Sequence, residues 1–212
     1  MNILKKISII MAVVLVPNLA CTNESKQAKA EVQANNTTLA VNTSGATSEA
    51  DNSKSTSEVK VYNIKEVKKG EANKAVDFTF EQNGKTVSFA ELTKGKVVFL
   101  NFWGTWCPPC RKEIPDIIQI NKELKGKDFI VIGLASERND GTDALAKVTE
   151  FAKKNGIDYN LFIANGTIAQ AYGGIQFVPT TFIIDKDGSI VETINGMRTK
   201  EEFMKSINKV LK

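Results

Sequence analysis

Histidine is absent from this 212-residue chain, which removes the commonest general base and the commonest metal ligand together. Histidine-dependent hydrolases and most catalytic zinc sites are excluded on that ground. Cysteine is scarce: there are three, Cys21, Cys107 and Cys110. A fold stapled by disulfides would need more, so the close pair reads as reactive rather than structural. A bridge between Cys107 and Cys110 closes so small a loop that it restrains the unfolded chain little. Charge of one dominant sign is missing as well, with 28 basic and 24 acidic residues and no basic block or aromatic–basic stripe. Nucleic acid is therefore not an expected partner. The apolar run Ile9 to Val16 is too short for a comfortable membrane span and has the length of an export-signal core.

Lys5 and Lys6 precede that run, and Pro17-Asn18-Leu19-Ala20-Cys21 ends it. Residues 1–20 thus read as a signal peptide. A small residue directly before a cysteine resembles the bacterial lipoprotein processing site, in which Cys21 would be acylated and become the new N-terminus. Asn18 stands where that pattern prefers leucine. Plain signal cleavage, leaving a free thiol, and an uncleaved anchor are the alternatives. Several acyl chains hold a protein firmly to a membrane where one holds weakly. Residues 22–69 are expected to be a polar spacer and lead-in. Stretches such as Gln33-Ala34-Asn35-Asn36-Thr37-Thr38 have too little apolar surface to offset the entropy of ordering. A flexible coil of the 22–57 stretch would reach roughly 30–35 Å. The main domain is placed at 70–212.

Within that domain Lys96–Asn101 reads as a buried strand, and Pro108–Lys125 as a helix with Ile114, Ile117, Ile118 and Leu124 on its apolar side. Between them lies Trp103-Gly104-Thr105-Trp106-Cys107-Pro108-Pro109-Cys110. A Cys-x-x-Cys pair between a strand and a helix is what disulfide exchange requires. The first thiol is expected to face solvent at the helix N-terminus, where unpaired N–H groups favour its thiolate. The second lies one turn on, able to close a Cys107–Cys110 disulfide and expel a bound partner. Pro108 and Pro109 suit a first helical turn, where a missing N–H costs nothing. They also leave fewer backbone donors for the thiolate.

Ala75–Phe80 and Lys85–Phe89 flank Gln82-Asn83-Gly84, a hairpin signal. Phe129–Leu134 reads as a second buried strand, and residues 142–155 as a helix with Thr142 as cap and Gly156 as stop. A short strand at Asn160–Ala164, a helical turn at Thr167–Tyr172, a hairpin through Asp187-Gly188 and an amphipathic helix at Thr199–Leu211 complete the domain. Continuous apolar strands separated by helices imply a sheet covered on both faces.

The cysteine turn, the run Gly95–Trp103 leading into it, Arg111-Lys112-Glu113-Ile114-Pro115 after it, and Val178-Pro179-Thr180 some seventy residues on together resemble the thioredoxin superfamily. Within it they resemble the exported thiol–disulfide oxidoreductases of the TlpA/ResA type. The resemblance covers most of residues 70–212. It implies a thioredoxin-like α/β fold with a central mixed sheet flanked by helices, an N-terminal β-hairpin extension and a central insertion. It makes Cys107 the nucleophile, Cys110 the resolving thiol and Pro179 a cis proline facing them. Trp106, Pro108, Pro109, Val178 and Thr180 become the substrate surface, with Val178 offering its backbone; Trp103 and Phe102 are core. Glu113 would move protons to or from the buried thiol, against the alternative of a solvated helix carboxylate. Asn101 stands where thioredoxins proper often carry a buried aspartate, and it cannot accept a proton.

The resemblance further implies a monomer without cofactor or metal, working outside the cytoplasmic membrane. It would act as a reductant on exported thiol proteins, apocytochrome c among them, with a membrane-embedded thiol carrier as electron donor. An exported peroxiredoxin is the first alternative; its Pro-x-x-x-Thr-x-x-Cys is unmet, since Gly104 lies three residues before Cys107. A copper or zinc module is the second, although a tetrahedral site wants four ligands.

Overall fold

Strand β4 (Val97–Trp103) is buried along all seven residues, so both of its faces must be covered. The computed structural model describes residues 59–138 and 143–212. The expected signal peptide, Cys21 and residues 22–58 of the expected spacer lie outside the described residues.

Three strands and a short helix precede β4: β1 (Val61–Val67), β2 (Phe78–Gln82), β3 (Lys85–Ser88) and α1 (Phe89–Thr93). After it come α2 (Pro108–Glu123), β5 (Phe129–Ala135), α3 (Ala144–Asn155), β6 (Asn160–Ile163), α4 (Gly166–Ala171), β7 (Thr180–Ile184), β8 (Ile190–Asn195) and α5 (Lys200–Val210). The strands form one sheet in the order β3-β2-β1-β6-β5-β4-β7-β8. Parallel pairing runs from β4 through β5 and β6 to β1, whereas β7 and β8 at one edge and β2 and β3 at the other are antiparallel. This is the expected mixed sheet with helices on both sides. The hairpin extension is β2–β3, turning through Asn83 and Gly84, both at positive φ as a tight hairpin turn requires. The central insertion is β6 with α4, between α3 and β7.

Alternation along β4 sorts the core into two layers. Val97, Phe99 and Trp103 pack with Ile114, Ile117 and Ile120 of α2, Val148 of α3 and Phe203 of α5. Val98, Leu100 and Phe102 point the other way, against Phe78, Phe80, Phe89 and Ile168. Asn101 has the parity of the first set, so its amide is delivered to the α2 face. That is the link between strand register and site.

Three expectations need correcting. The folded domain begins before residue 70, because β1 pairs in parallel with β6 (Val61 with Leu161, Tyr62 with Phe162). Phe89 does not end a strand: it opens α1, whose capping box joins Ser88 and Glu91 reciprocally. Helix α3 is capped by Asp143, whose carboxylate accepts from the N–H groups of Leu145 and Ala146; Thr142, the expected cap, lies outside the described residues. Gly156 in the left-handed region ends α3 as expected.

Candidate active site

Cys107 is the N-cap of α2 and is joined to Cys110 by a disulfide. Pro108 and Pro109 occupy the first two helical positions and are exposed. Neither carries an N–H, so the donor aimed at Cys107 Sγ is the backbone N–H of Cys110, at 3.2 Å. Across the site the Val178–Pro179 peptide is cis, and the Val178 carbonyl oxygen lies 3.6 Å from Cys107 Sγ. Pro179 itself is buried and Val178 half-buried.

The expected solvent-facing sulfur is not found in this oxidised form. Cys107 is 2% exposed, shielded by its bond to Cys110 and by the Val178 loop. Thr180 is corrected too. It is buried, and its hydroxyl donates to Phe177 O at 2.9 Å, with Asn195 Oδ1 3.3 Å away, so its side chain braces the loop from inside. The accessible surface comes instead from Trp106, from the two prolines and from Phe177, which is 69% exposed. Trp103 and Phe102 are buried, as expected.

Glu113 lies one helical turn past Cys110 and is 1% exposed, which disposes of the solvated alternative. Asn101 Nδ2 donates to Glu113 Oε1 at 3.0 Å and to Thr181 Oγ1 at 3.0 Å. Asn101 and Thr181 are register partners on β4 and β7, so strand pairing sets this cradle. Glu113 Oε2 is buried with no hydrogen-bond partner among the described residues. Burial pushes the Glu113 carboxyl up to about 7, with the Asn101 hydrogen bond and the nearby Arg198 pulling the other way. A carboxyl poised there can hold or release a proton near neutrality.

A second buried carboxylate is not anticipated by the sequence reading. Glu137, in the loop after β5, is 3% exposed on its side chain. It accepts from Thr105 N at 2.8 Å and Thr105 Oγ1 at 2.7 Å, and pairs with Lys147 at 3.3 Å. Its neighbours grip the next residue: Trp106 Nε1 donates to Ser136 O at 2.9 Å, and Arg138 stacks 4.3 Å over the Trp106 ring. Three consecutive residues thereby fix the two that precede Cys107. Gly104 permits it, because a Cβ there would sit 2.6 Å from Trp106 Nε1 and 3.0 Å from Ser136 O. In the sequence this loop shows only polarity; its contacts span about thirty residues and leave no local signal.

A disulfide at a helix N-terminus, a cis proline across from it and a buried carboxyl one turn below together decide the family assignment when set beside known proteins. Residues 68–211 match the family model described as Redoxin. The chain belongs to the Redoxin family. Among relatives of this Redoxin, the thiol-disulfide oxidoreductase ResA of Bacillus thuringiensis subsp. konkukian is 36% identical over 151 residues, covering 70% of this chain and 83% of that protein. A thiol:disulfide interchange protein of the thioredoxin family from Chlorobium tepidum superposes with a TM-score of 0.58 at 32% identity, covering 68% of this chain and 100% of the other. The pneumococcal exposed lipoprotein thioredoxin from Streptococcus pneumoniae gives 0.51 at 33% identity, covering 63% and 98%. This Redoxin is thus a thiol-disulfide oxidoreductase of the ResA type, with a thioredoxin-like fold.

Proposed function

We propose that this oxidoreductase runs as a reductant of exported disulfides, and one observation carries the direction. The Cys107–Cys110 pair sits behind two prolines that leave a single backbone N–H, that of Cys110, directed at Cys107 Sγ. Strong oxidants of this chemistry owe their potential to a heavily stabilised thiolate in the reduced form. A nucleophile with few donors lacks that stabilisation, so its dithiol gives up electrons readily.

In the reduced protein the Cys107 thiolate attacks one sulfur of a substrate disulfide, forming a mixed disulfide and releasing the other substrate sulfur as thiolate. Cys110 loses its proton to the Glu113 carboxylate and attacks Cys107 Sγ. The second substrate sulfur leaves, is protonated, and the Cys107–Cys110 disulfide is restored. Two electrons pass to the substrate, and a dithiol donor must replace them for the next cycle. A membrane-embedded thiol carrier fits that role. Substrates are exported thiol proteins, with apocytochrome c as one class, and Val178 supplies the backbone edge on which their cysteine segment is laid. The domain works as a monomer outside the cytoplasmic membrane, held there by an acylated Cys21. In support, a solved relative is described as an exposed lipoprotein, and the Ile9–Val16 run and Cys21 have the order such processing needs. Among the described residues no helix is long and apolar enough to cross a membrane.

Equilibration with graded glutathione or dithiothreitol buffers, followed by Trp106 fluorescence, tests the direction. The midpoint is expected nearer the thioredoxin value of about −270 mV than the DsbA value of about −120 mV. A midpoint at the oxidising end would reverse the assignment.

A further inference from the structure

This chain holds twenty-five lysines but three arginines, and all three arginines stand around the cysteine pair. Arg111 follows Cys110 directly and is exposed on the first turn of α2. Arg138, exposed in the loop after β5, lies over the Trp106 ring beside Cys107. Arg198 comes from the turn between β8 and α5, where Gly196 N–H donates to Pro179 O at 2.9 Å. Three separate elements, joined by nothing local in sequence, thus converge on one rim.

The carboxylates of that neighbourhood are already engaged inside the molecule. Glu113 accepts from Asn101, Glu137 is bound by Thr105 and Lys147, and Asp116 accepts from the Lys200 N–H at 3.1 Å. Among the described residues no carboxylate forms an ion pair with Arg111 or Arg138; both are exposed, Arg138 with its guanidinium over the Trp106 ring. Arginine differs from lysine in its planar fork, which binds a carboxylate through two parallel hydrogen bonds and stacks on aromatic rings. Where lysine serves everywhere else, that choice points to recognition of a planar anion. Beside the arginines stand Trp106, Phe177 and Met197, at 37%, 69% and 44% exposure, a rim with aromatic and apolar anchors of the kind that carry binding energy.

We infer that the redox partner of this protein presents Asp or Glu side chains next to its reacting cysteines, and that Arg111 and Arg138 read them. The inference rests on the thiol-exchange reading and specifies its substrate class. Acidic flanks are drawn to the rim, held by the guanidinium forks, and so set the disulfide within reach of Cys107. Charge complementarity of this kind acts mainly on encounter and register and weakens with salt.

Three synthetic peptides test it, each with one intrapeptide disulfide and identical except for Glu, Gln or Lys beside the cysteines. The reduced full chain is mixed with each, and every rate is divided by that of dithiothreitol with the same peptide, which removes the peptide's own reactivity. The Glu peptide is expected to react about 10-fold faster than the Gln peptide at about 0.02 M salt, with the Lys peptide slowest and the spread closing at about 0.5 M. In the Arg111→Gln, Arg138→Gln double variant the Glu-to-Gln ratio should fall to near one. Equal normalised rates for the three peptides in the unaltered protein would overturn the inference, as would a Glu preference untouched by the double substitution. If neither the Gln peptide nor neutral 2-hydroxyethyl disulfide is reduced at all, thiol exchange itself falls and the inference with it.

Discussion

Cys107→Ala protein is expected to reduce insulin-type disulfides about 10³-fold more slowly than the parent, or not measurably above background. The size of the loss follows from where the second sulfur lies. Cys110 lies inside the first turn of α2, behind Cys107 and the two prolines, so a partner's disulfide is expected to meet Cys107 first. The position at the helix N-terminus belongs to Cys107, with the Cys110 N–H directed at it. A serine in place of Cys110, by contrast, leaves the first attack intact and removes only the second. The two substitutions therefore separate nucleophile from resolving thiol. A Cys107→Ala variant that kept even a tenth of the parental rate would mean that some other group attacks.

Glu113→Gln is expected to have two effects that a merely structural residue would not combine. The first is kinetic. If Glu113 takes the Cys110 proton, resolution of the mixed disulfide should rise with pH through about 7 as the carboxyl ionises, and the Glu113→Gln variant should lose that rise. At neutral pH the resolution step would slow by about 10²-fold, the usual scale for removal of a positioned proton acceptor. Stopped-flow fluorescence of Trp106 across pH 5 to 9 reads it, and superimposable profiles would remove Glu113 from the mechanism.

The second effect is on stability. Folding raises the Glu113 carboxyl from 4.5 to about 7, because the charged form is disfavoured by burial. The unfolded chain releases this proton at a lower pH than the folded one. Folded stability from this group is thus complete below about pH 4.5 and is lost progressively as pH rises toward 7, by about 3 kcal/mol in all. The variant, with an amide that does not titrate, has no such loss. Urea denaturation should therefore find its stability gaining on the parent between pH 4 and pH 8, by up to about 3 kcal/mol. Parallel pH–stability curves would show that the carboxyl does not sit in the environment described.

How much of the fold and site is legible in the sequence depends on the range of each interaction. The strand–turn–helix unit around the cysteines is local: an apolar run, two prolines at a helix start and an apolar side at helical spacing all lie within thirty residues. The hairpin at Asn83-Gly84 and the stop at Gly156 are equally local. Strand β1 is not, because VYNIKEV alternates only loosely and becomes a strand by pairing with β6 about a hundred residues later. The start of α1 is legible through Ser88 and Glu91, yet Phe89 continues an alternating pattern and masks it. Thr180 reads as surface because its motif borders the cysteines; it is buried because it pairs in register with Asn195 of β8, and its hydroxyl bonds to the Phe177 carbonyl. Cys107 reads as solvent-facing from its cap position alone, whereas the cover comes from Val178, seventy-one residues away. Glu113 and Asn101 can be named from the sequence, but not joined. Their contact needs the β4 parity and the α2 crossing together.

The most direct measurement is intact-mass analysis of reduced Cys110→Ser protein after mixing with a disulfide substrate. One substrate-derived adduct per chain is expected, localised to Cys107 by peptide mapping, accumulating because the resolving sulfur is gone and released by dithiothreitol. Complete substrate reduction with no adduct on Cys107, or an adduct placed elsewhere, would contradict the assignment of Cys107 as nucleophile.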